Sequence, residues 1–157
     1  MLSEKIKQNL KNIISKYEKK ESAIISILHE IQKEKNYIED SDISELAKLT
    51  ELPYSKIKAV LTFYTMFNSK KVGKYHIQIC RNISCHMAGA KKIEKYISEK
   101  LGIREGEVTK DLLFSYSTVE CLGSCGTAPV IMINETYYEN VDEKKIDEII
   151  EKLKVAK

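Results

Sequence analysis

The chain has 157 residues, of which 43% are hydrophobic and 31% charged, with a formal net charge of +3. This describes one ordinary domain, or a small domain with a helical extension, and so slight a charge implies no nucleic-acid or anionic-membrane partner. No apolar run approaches the roughly 18 residues of a membrane span, so no direct membrane insertion is expected. The opening stretch MLSEKIKQNLKNIISKYEKK mixes charged and apolar residues and lacks the continuous apolar centre of a signal peptide. The expected location is cytoplasmic, peripheral to a membrane at most through a larger complex. Thiols stay reduced there, so the four cysteines read as metal ligands or reactive thiols before disulfides.

Residues 1–70 predict a small helical bundle. Ile6, Leu10, Ile13, Ile14 and Tyr17 recur at steps of three and four, the stripe of an amphipathic helix. SAIISILHEIQKEKN places Ile24, Leu28 and Ile31 on one face, with Ser22 as the expected N-cap. In SDISELAKLTE, Asp42 followed by Glu45 has the spacing of a capping box. The fourth helix opens at Pro53, which suits a first helical turn, and Ile57, Val60, Leu61 and Tyr64 form its expected buried face.

Residues 71–157 have a different periodicity. KYHIQIC alternates as a strand and ends on Cys80. GAKKIEKYISEKLG is a helix with Ile93, Ile97 and Leu101 inward and Gly102 at its C-cap. LLFSYSTVEC is a second strand ending on a cysteine, PVIMIN and TYYENV flank a turn at Asn134 and Glu135, and DEKKIDEIIEKLK closes as a helix. Tyr137 and Tyr138 read as a packing pair of the hairpin. The order β-α-β-β-β-α, with its right-handed crossover between parallel strands, is the minimal thioredoxin-like arrangement. The fold class is α+β.

The cysteines form C-x4-C at Cys80 and Cys85 and, after 35 residues, C-x3-C at Cys121 and Cys125. Cys80 and Cys121 fall at the C-terminal ends of parallel strands, the edge where ligands of open α/β sheets gather. The intervening length is about one helix plus one strand, so the two pairs converge. Four thiolates could hold structural zinc, but zinc pairs usually have x2 spacing and staple domains that lack a core. Thiol-disulfide chemistry would want C-x-x-C at a helix N-terminus. A 2Fe–2S cluster fits better, since it needs two pairs of thiolates and loops wide enough to span its core. Its net charge of about −2, or −3 when reduced, wants backbone N–H donors and a helix N-terminus. CRNISC leads toward a helix expected near Met87. Gly123 and Gly126 offer backbone that can approach sulfur closely, and Arg81 is a candidate for stabilising the reduced state.

These cysteines, preceded by GKYHIQIC, followed by GTAPVIMIN and accompanied upstream by LPYSKIKAVLTFYTMF, closely resemble the thioredoxin-like 2Fe–2S ferredoxin subunit of NADH:quinone oxidoreductase (complex I). They equally resemble its counterpart, the small subunit of NAD-linked electron-bifurcating hydrogenases and some formate dehydrogenases. The resemblance covers nearly the whole chain. It implies a helical N-terminal part, a thioredoxin-like 2Fe–2S ferredoxin domain, and ligation by Cys80, Cys85, Cys121 and Cys125. It also implies an FMN- and NAD(H)-binding flavoprotein partner, with further Fe–S or hydrogenase subunits beyond it. The chain would then be an electron-transfer subunit of an NAD-dependent oxidoreductase, with no catalysis of its own. FMN and NAD would belong to the partner, because no Gly-rich phosphate loop occurs in this sequence. The helical half is the expected docking surface. The abundance of isoleucine and lysine tilts the reading toward a hydrogenase complex. VTKDLLF lacks the glycine that often follows the aspartate in this family. Pro129 stands where thioredoxin-like folds often carry a cis proline.

His86, beside a ligand, does not make a Rieske centre: two histidines on one iron are needed, and His29 and His76 are badly placed. The rival reading takes residues 43–66 as a helix-turn-helix in an iron–sulfur or zinc transcription regulator. Against it stand an apolar continuation, VLTFYTMF, and only Lys56 and Lys58 as basic residues on the would-be recognition helix.

Overall fold

The computed structural model describes residues 2–155, which fall into two units, Met1–Lys71 and Val72–Lys157. In the first, helix α1 (Glu4–Ile14) starts at Ser3, whose hydroxyl accepts the Ile6 N–H. Ile6 and Leu10 are buried, and Tyr17 lies beyond the helix end. Helix α2 (Ile24–Lys35) is not capped by Ser22. A 3-10 turn over Lys20–Ala23 runs directly into it, so the chain arrives already coiled and the cap position falls to Ala23.

Helix α3 (Asp40–Thr50) begins earlier than the sequence pattern suggests. Glu39 is its N-cap and Asp42 the third helical residue, so the capping box is Glu39–Asp42 instead of Asp42–Glu45. The reason is tertiary. Asp42 is wholly buried, and its carboxylate takes Lys35 Nζ at 2.6 and 2.7 Å and the Glu39 N–H at 3.1 Å. A buried carboxylate is tolerable only when paired in this way. Burial pushes the Lys35 ammonium down, but Asp42 and Glu39 outweigh it and hold the group above its ordinary range. Glu45 instead accepts the Leu2 N–H at 2.8 Å and faces Lys7 at 3.1 Å.

Helix α4 (Tyr54–Phe63) has Pro53 as its N-cap and buries Ile57 and Leu61. Its last turn ends before Tyr64, which is half-exposed, so the expected burial there is not met. All four helices feed one core that includes Leu10, Ile27, Leu28, Ile43, Leu46 and Leu61. The helix-turn-helix reading finds no support. Lys56 pairs with Glu21 at 3.1 Å and Lys58 with Asp40 at 2.6 Å, so the basic residues of α4 already have carboxylate partners.

In the second unit a four-stranded sheet has the order β2-β1-β3-β4. β1 (Tyr75–Cys80) pairs in parallel with β2 (Phe114–Val119), Cys80 opposite Val119. On its other side β1 pairs antiparallel with β3 (Ile131–Ile133), which turns at Asn134 and Glu135 into β4 (Thr136–Tyr138). The crossover from β1 to β2 carries two helices, not one: a short α5 (Ile83–Met87) and α6 (Ala90–Leu101), separated by Gly89 at φ 99°. α6 ends at Gly102 in the left-handed conformation, as its C-cap position predicts. α7 (Glu143–Val155) buries Ile146, Ile149 and Ile150. These join Ile77, Ile79, Ile93, Ile97 and Phe114 in a second core. Tyr138 packs against that core while Tyr137, its neighbour on the strand, is exposed. Successive strand residues face opposite sides, so the two tyrosines are not a packing pair. The Ala128–Pro129 bond is cis, as expected. Among the described residues no helix is long and apolar enough to cross a membrane.

Candidate metal centre

The parallel pairing of β1 and β2 brings their C-terminal ends side by side, and every cysteine follows one of those ends. Cys80 is the last residue of β1, and Cys121 lies two residues beyond β2. Cys85 sits within α5, not in a loop before it, because Asn82 caps that helix early by accepting the Ile83 N–H at 2.8 Å. Cys125 opens a 3-10 turn, Cys125–Thr127, that leads to the cis proline.

All four thiols are free; Cys80 and Cys85 are buried, Cys121 and Cys125 exposed. The Cys85 and Cys121 thiols are neighbours of Cys80. Burial pushes its thiol up, but the N–H groups of Asn82 and Leu122 and the two neighbouring thiols reverse this and bring it below its ordinary value. Cys85 is pushed up, first by burial and then by Cys80, against the pull of the Val130 N–H. The Gly123 N–H donates to Cys121 Sγ at 3.3 Å. Backbone donors thus reach three of the four sulfurs, which is how a protein stabilises anionic sulfur. Cys125 is a further neighbour of Cys85. Among the described residues no three or more His, Cys, Asp or Glu side chains gather as a site for a metal ion.

The other residues singled out from the sequence are placed unevenly. Gly123, at φ 74°, donates its N–H to Cys121 Sγ, and side chains at Gly123 or Gly126 would meet nothing within 4 Å. Arg81 is exposed and pairs with Glu120, donating through Nε at 3.1 Å. His86 and Met87 border a wide, open groove of about 900 Å³ that continues past Lys91 and Lys92 to Pro129 and Lys144. Sequence reasoning missed the group beside Cys125. Glu139 accepts from the Ser124 hydroxyl and from Thr127 Oγ1 at 2.8 Å. Those hydroxyls, Ser124 first, hold its carboxyl below the usual range. The hydroxyls flanking Cys125 are visible in CLGSCGT, but nothing local points to a glutamate that lies beyond two further strands.

Two cysteine pairs at one edge of an α+β sheet, with backbone N–H donors beside them, mark a protein of thioredoxin-like architecture with a cysteine-rich sheet edge. The chain belongs to the thioredoxin-like 2Fe-2S ferredoxin family, whose model matches residues 10–154. A 2Fe–2S cluster is the cofactor that family carries. The chain is 45% identical over 154 residues to a subunit of the NADH-quinone oxidoreductase of Rickettsia bellii, covering 94% of this chain and 92% of the relative. It is 43% identical over 151 residues to the same subunit in Rickettsia prowazekii, covering 92% and 85%. Among solved structures, an air-oxidized NAD+-reducing NiFe-hydrogenase shares the fold with a TM-score of 0.73 at 24% identity. That match covers 85% of this chain and 23% of the hydrogenase chain, so this chain spans less than a quarter of that larger protein.

Proposed function

We propose that Cys80, Cys85, Cys121 and Cys125 ligate one 2Fe–2S cluster and that the chain is the electron-transfer subunit of a cytoplasmic NADH-quinone oxidoreductase-type complex, next to an FMN- and NAD(H)-binding flavoprotein. The carrying observation is the convergence of two thiol pairs and their N–H donors on one sheet edge, in a chain 45% identical to an NADH-quinone oxidoreductase subunit over nearly its whole length. That identity supports the respiratory-type complex over the hydrogenase favoured by composition.

When bound, the cluster supplies one-electron transfer. The chain's own part is to hold four sulfurs and to set their electrostatic surroundings. Buried Cys80 and Cys85 place one side against the small cluster of Ala90 and Val130, where low polarity disfavours added negative charge. The N–H groups of Asn82, Leu122, Val130 and Gly123 work in the opposite direction. Ile83 and Met87, 72% and 82% exposed on either side of Cys85, offer apolar surface for the flavoprotein beside the cluster. Phe63, Tyr64 and Met66 at the end of α4 offer it on the helical unit, which we assign to docking as a domain separate from the ferredoxin domain.

The test is iron, sulfide and zinc analysis with EPR on protein purified without oxygen. Two irons and two sulfides per chain, with a half-spin signal on reduction, are expected, and each Cys→Ser change should lower cluster content. Stoichiometric zinc without iron, persisting after anaerobic reconstitution, would make the cysteines a structural clamp and end this reading.

A further inference from the structure

The loop that carries Cys121 and Cys125 is anchored at Leu122 and Ala128, which pack against the apolar cluster of Cys80, Cys85, Ala90 and Val130, but not at the cysteines themselves. Both cysteines and both its glycines are exposed, and side chains built at Gly123 and Gly126 would meet nothing within 4 Å. Around Cys125 a polar knot adds to that anchorage. The Ser124 and Thr127 hydroxyls lie 2.8 Å apart, and both donate to the same oxygen of Glu139. Glu139 is itself held, its carbonyl accepting Lys145 Nζ at 2.6 Å. Its neighbour Asn140 donates its N–H to the Thr127 carbonyl at 2.7 Å, and Val141 donates to the Pro129 carbonyl at 3.0 Å. The segment after β4 thus reaches back across the hairpin to the cysteine loop and clasps it on both sides of Cys125.

We infer that Glu139 is a positioning residue for the second cysteine pair: through Ser124 and Thr127 its carboxylate fixes the loop that presents Cys121 and Cys125, and its charge lowers the cluster's tendency to accept an electron. The inference rests on the ligation proposed above. Reduction adds one negative charge, and a carboxylate hydrogen-bonded to the residue beside Cys125 opposes that addition. Charge-assisted hydrogen bonds are about twice as strong as neutral ones, and two of them meet on Glu139 from either side of Cys125.

The experiment uses the full chain, reconstituted anaerobically, as wild type, Glu139→Gln, Glu139→Ala and the double variant Ser124→Ala with Thr127→Val. Two quantities are read: the rate at which an iron chelator strips the cluster, and the midpoint potential from an EPR-monitored redox titration. Glu139→Gln keeps an acceptor oxygen but loses the charge, so its cluster lifetime falls less than that of Glu139→Ala while its potential rises. Glu139→Ala and the double variant lose the clasp and release iron roughly tenfold faster or more, the usual scale for losing an outer partner of a metal ligand. Wild-type release rates in both would overturn the positioning role, and an unmoved potential in Glu139→Gln would overturn the electrostatic one. Should Glu139→Ala fail to fold, as far-UV circular dichroism would reveal, the double variant decides from the loop side. A wild-type chain that binds no iron would instead sink the ligation itself, a result separate from any difference among variants.

Discussion

The imidazole Nδ1 of His76 lies 2.8 Å from the Ser115 hydroxyl, and its Nε2 3.0 Å from that of Ser117. Both nitrogens are therefore satisfied between β1 and β2 by groups that carry no charge. Burial lowers the pKa of His76 from 6.5 to about 4. Because the folded value is depressed, the unfolded chain binds a proton first as pH falls, and stability drops between about pH 6.5 and 4. At 1.36 kcal/mol for each pH unit, the loss across that window is about 3 kcal/mol. Urea denaturation of the chain at pH 7 and pH 5 should show a lower midpoint at pH 5, and His76→Gln should flatten the difference. Equal pH dependence in the two proteins would show that His76 is not the titrating group.

Gly73 precedes β1 against the backbone of β2. A Cβ there would sit 2.5 Å from the Phe114 carbonyl carbon and 2.8 Å from the Leu113 oxygen. Backbone cannot rotate aside as a side chain can, and the first bonds of the parallel pair, Tyr75 N–H to Leu113 at 2.7 Å and Lys74 N–H to Leu112 at 3.0 Å, are adjacent. Gly73→Ala should therefore cost about 3 kcal/mol, at the upper end for overpacking. A thermal melt within a degree or two of wild type would contradict this.

Leu112 presents the opposite case. It occupies φ 60°, a left-handed conformation that costs an ordinary residue about 1–2 kcal/mol, and its side chain is half-exposed. This is the place after Asp111 where the sequence departs from the family's usual glycine. Leu112→Gly relieves the strain and gives back part of the gain as unfolded-chain entropy. The expected net is a stabilisation of about 0.5–1 kcal/mol by chemical denaturation, and a destabilised variant would mean that the Leu112 side chain packs more than its exposure suggests.

Leu112 also shows where the sequence is legible and where it is not. Alternation and helical stripes locate all four strands and the principal helices, because apolar periodicity is a direct imprint of which face is buried. That Cys80 and Cys121 sit at neighbouring strand ends follows from topology, since parallel strands joined by one crossover must end together. Helix starts are harder to read. Asp42 has the local look of a cap but is the buried partner of Lys35, a contact across the turn between two helices that a capping pattern alone does not show. The short helix around Cys85 is hidden because a single turn leaves no periodic stripe. The clasp on Ser124 and Thr127 is invisible for the same reason as Lys35–Asp42: its acceptor lies in another element.

The two cysteine pairs differ in access, and this gives a last test. Cys80 and Cys85 are each 2% exposed, whereas Cys121 and Cys125 stand open to solvent. Thiolate character would favour Cys80, whose N–H and thiol neighbours outweigh its burial, but alkylation needs the reagent to reach the sulfur as well. Access should decide. In cluster-free protein, brief iodoacetamide treatment followed by peptide mass spectrometry should find Cys121 and Cys125 modified well before Cys80 and Cys85. In cluster-loaded protein all four should resist, because under the proposed ligation each sulfur would be engaged with iron. Early labelling of Cys80 in the cluster-free chain would show that its buried edge opens readily, and the first pair would then be the mobile half of the site.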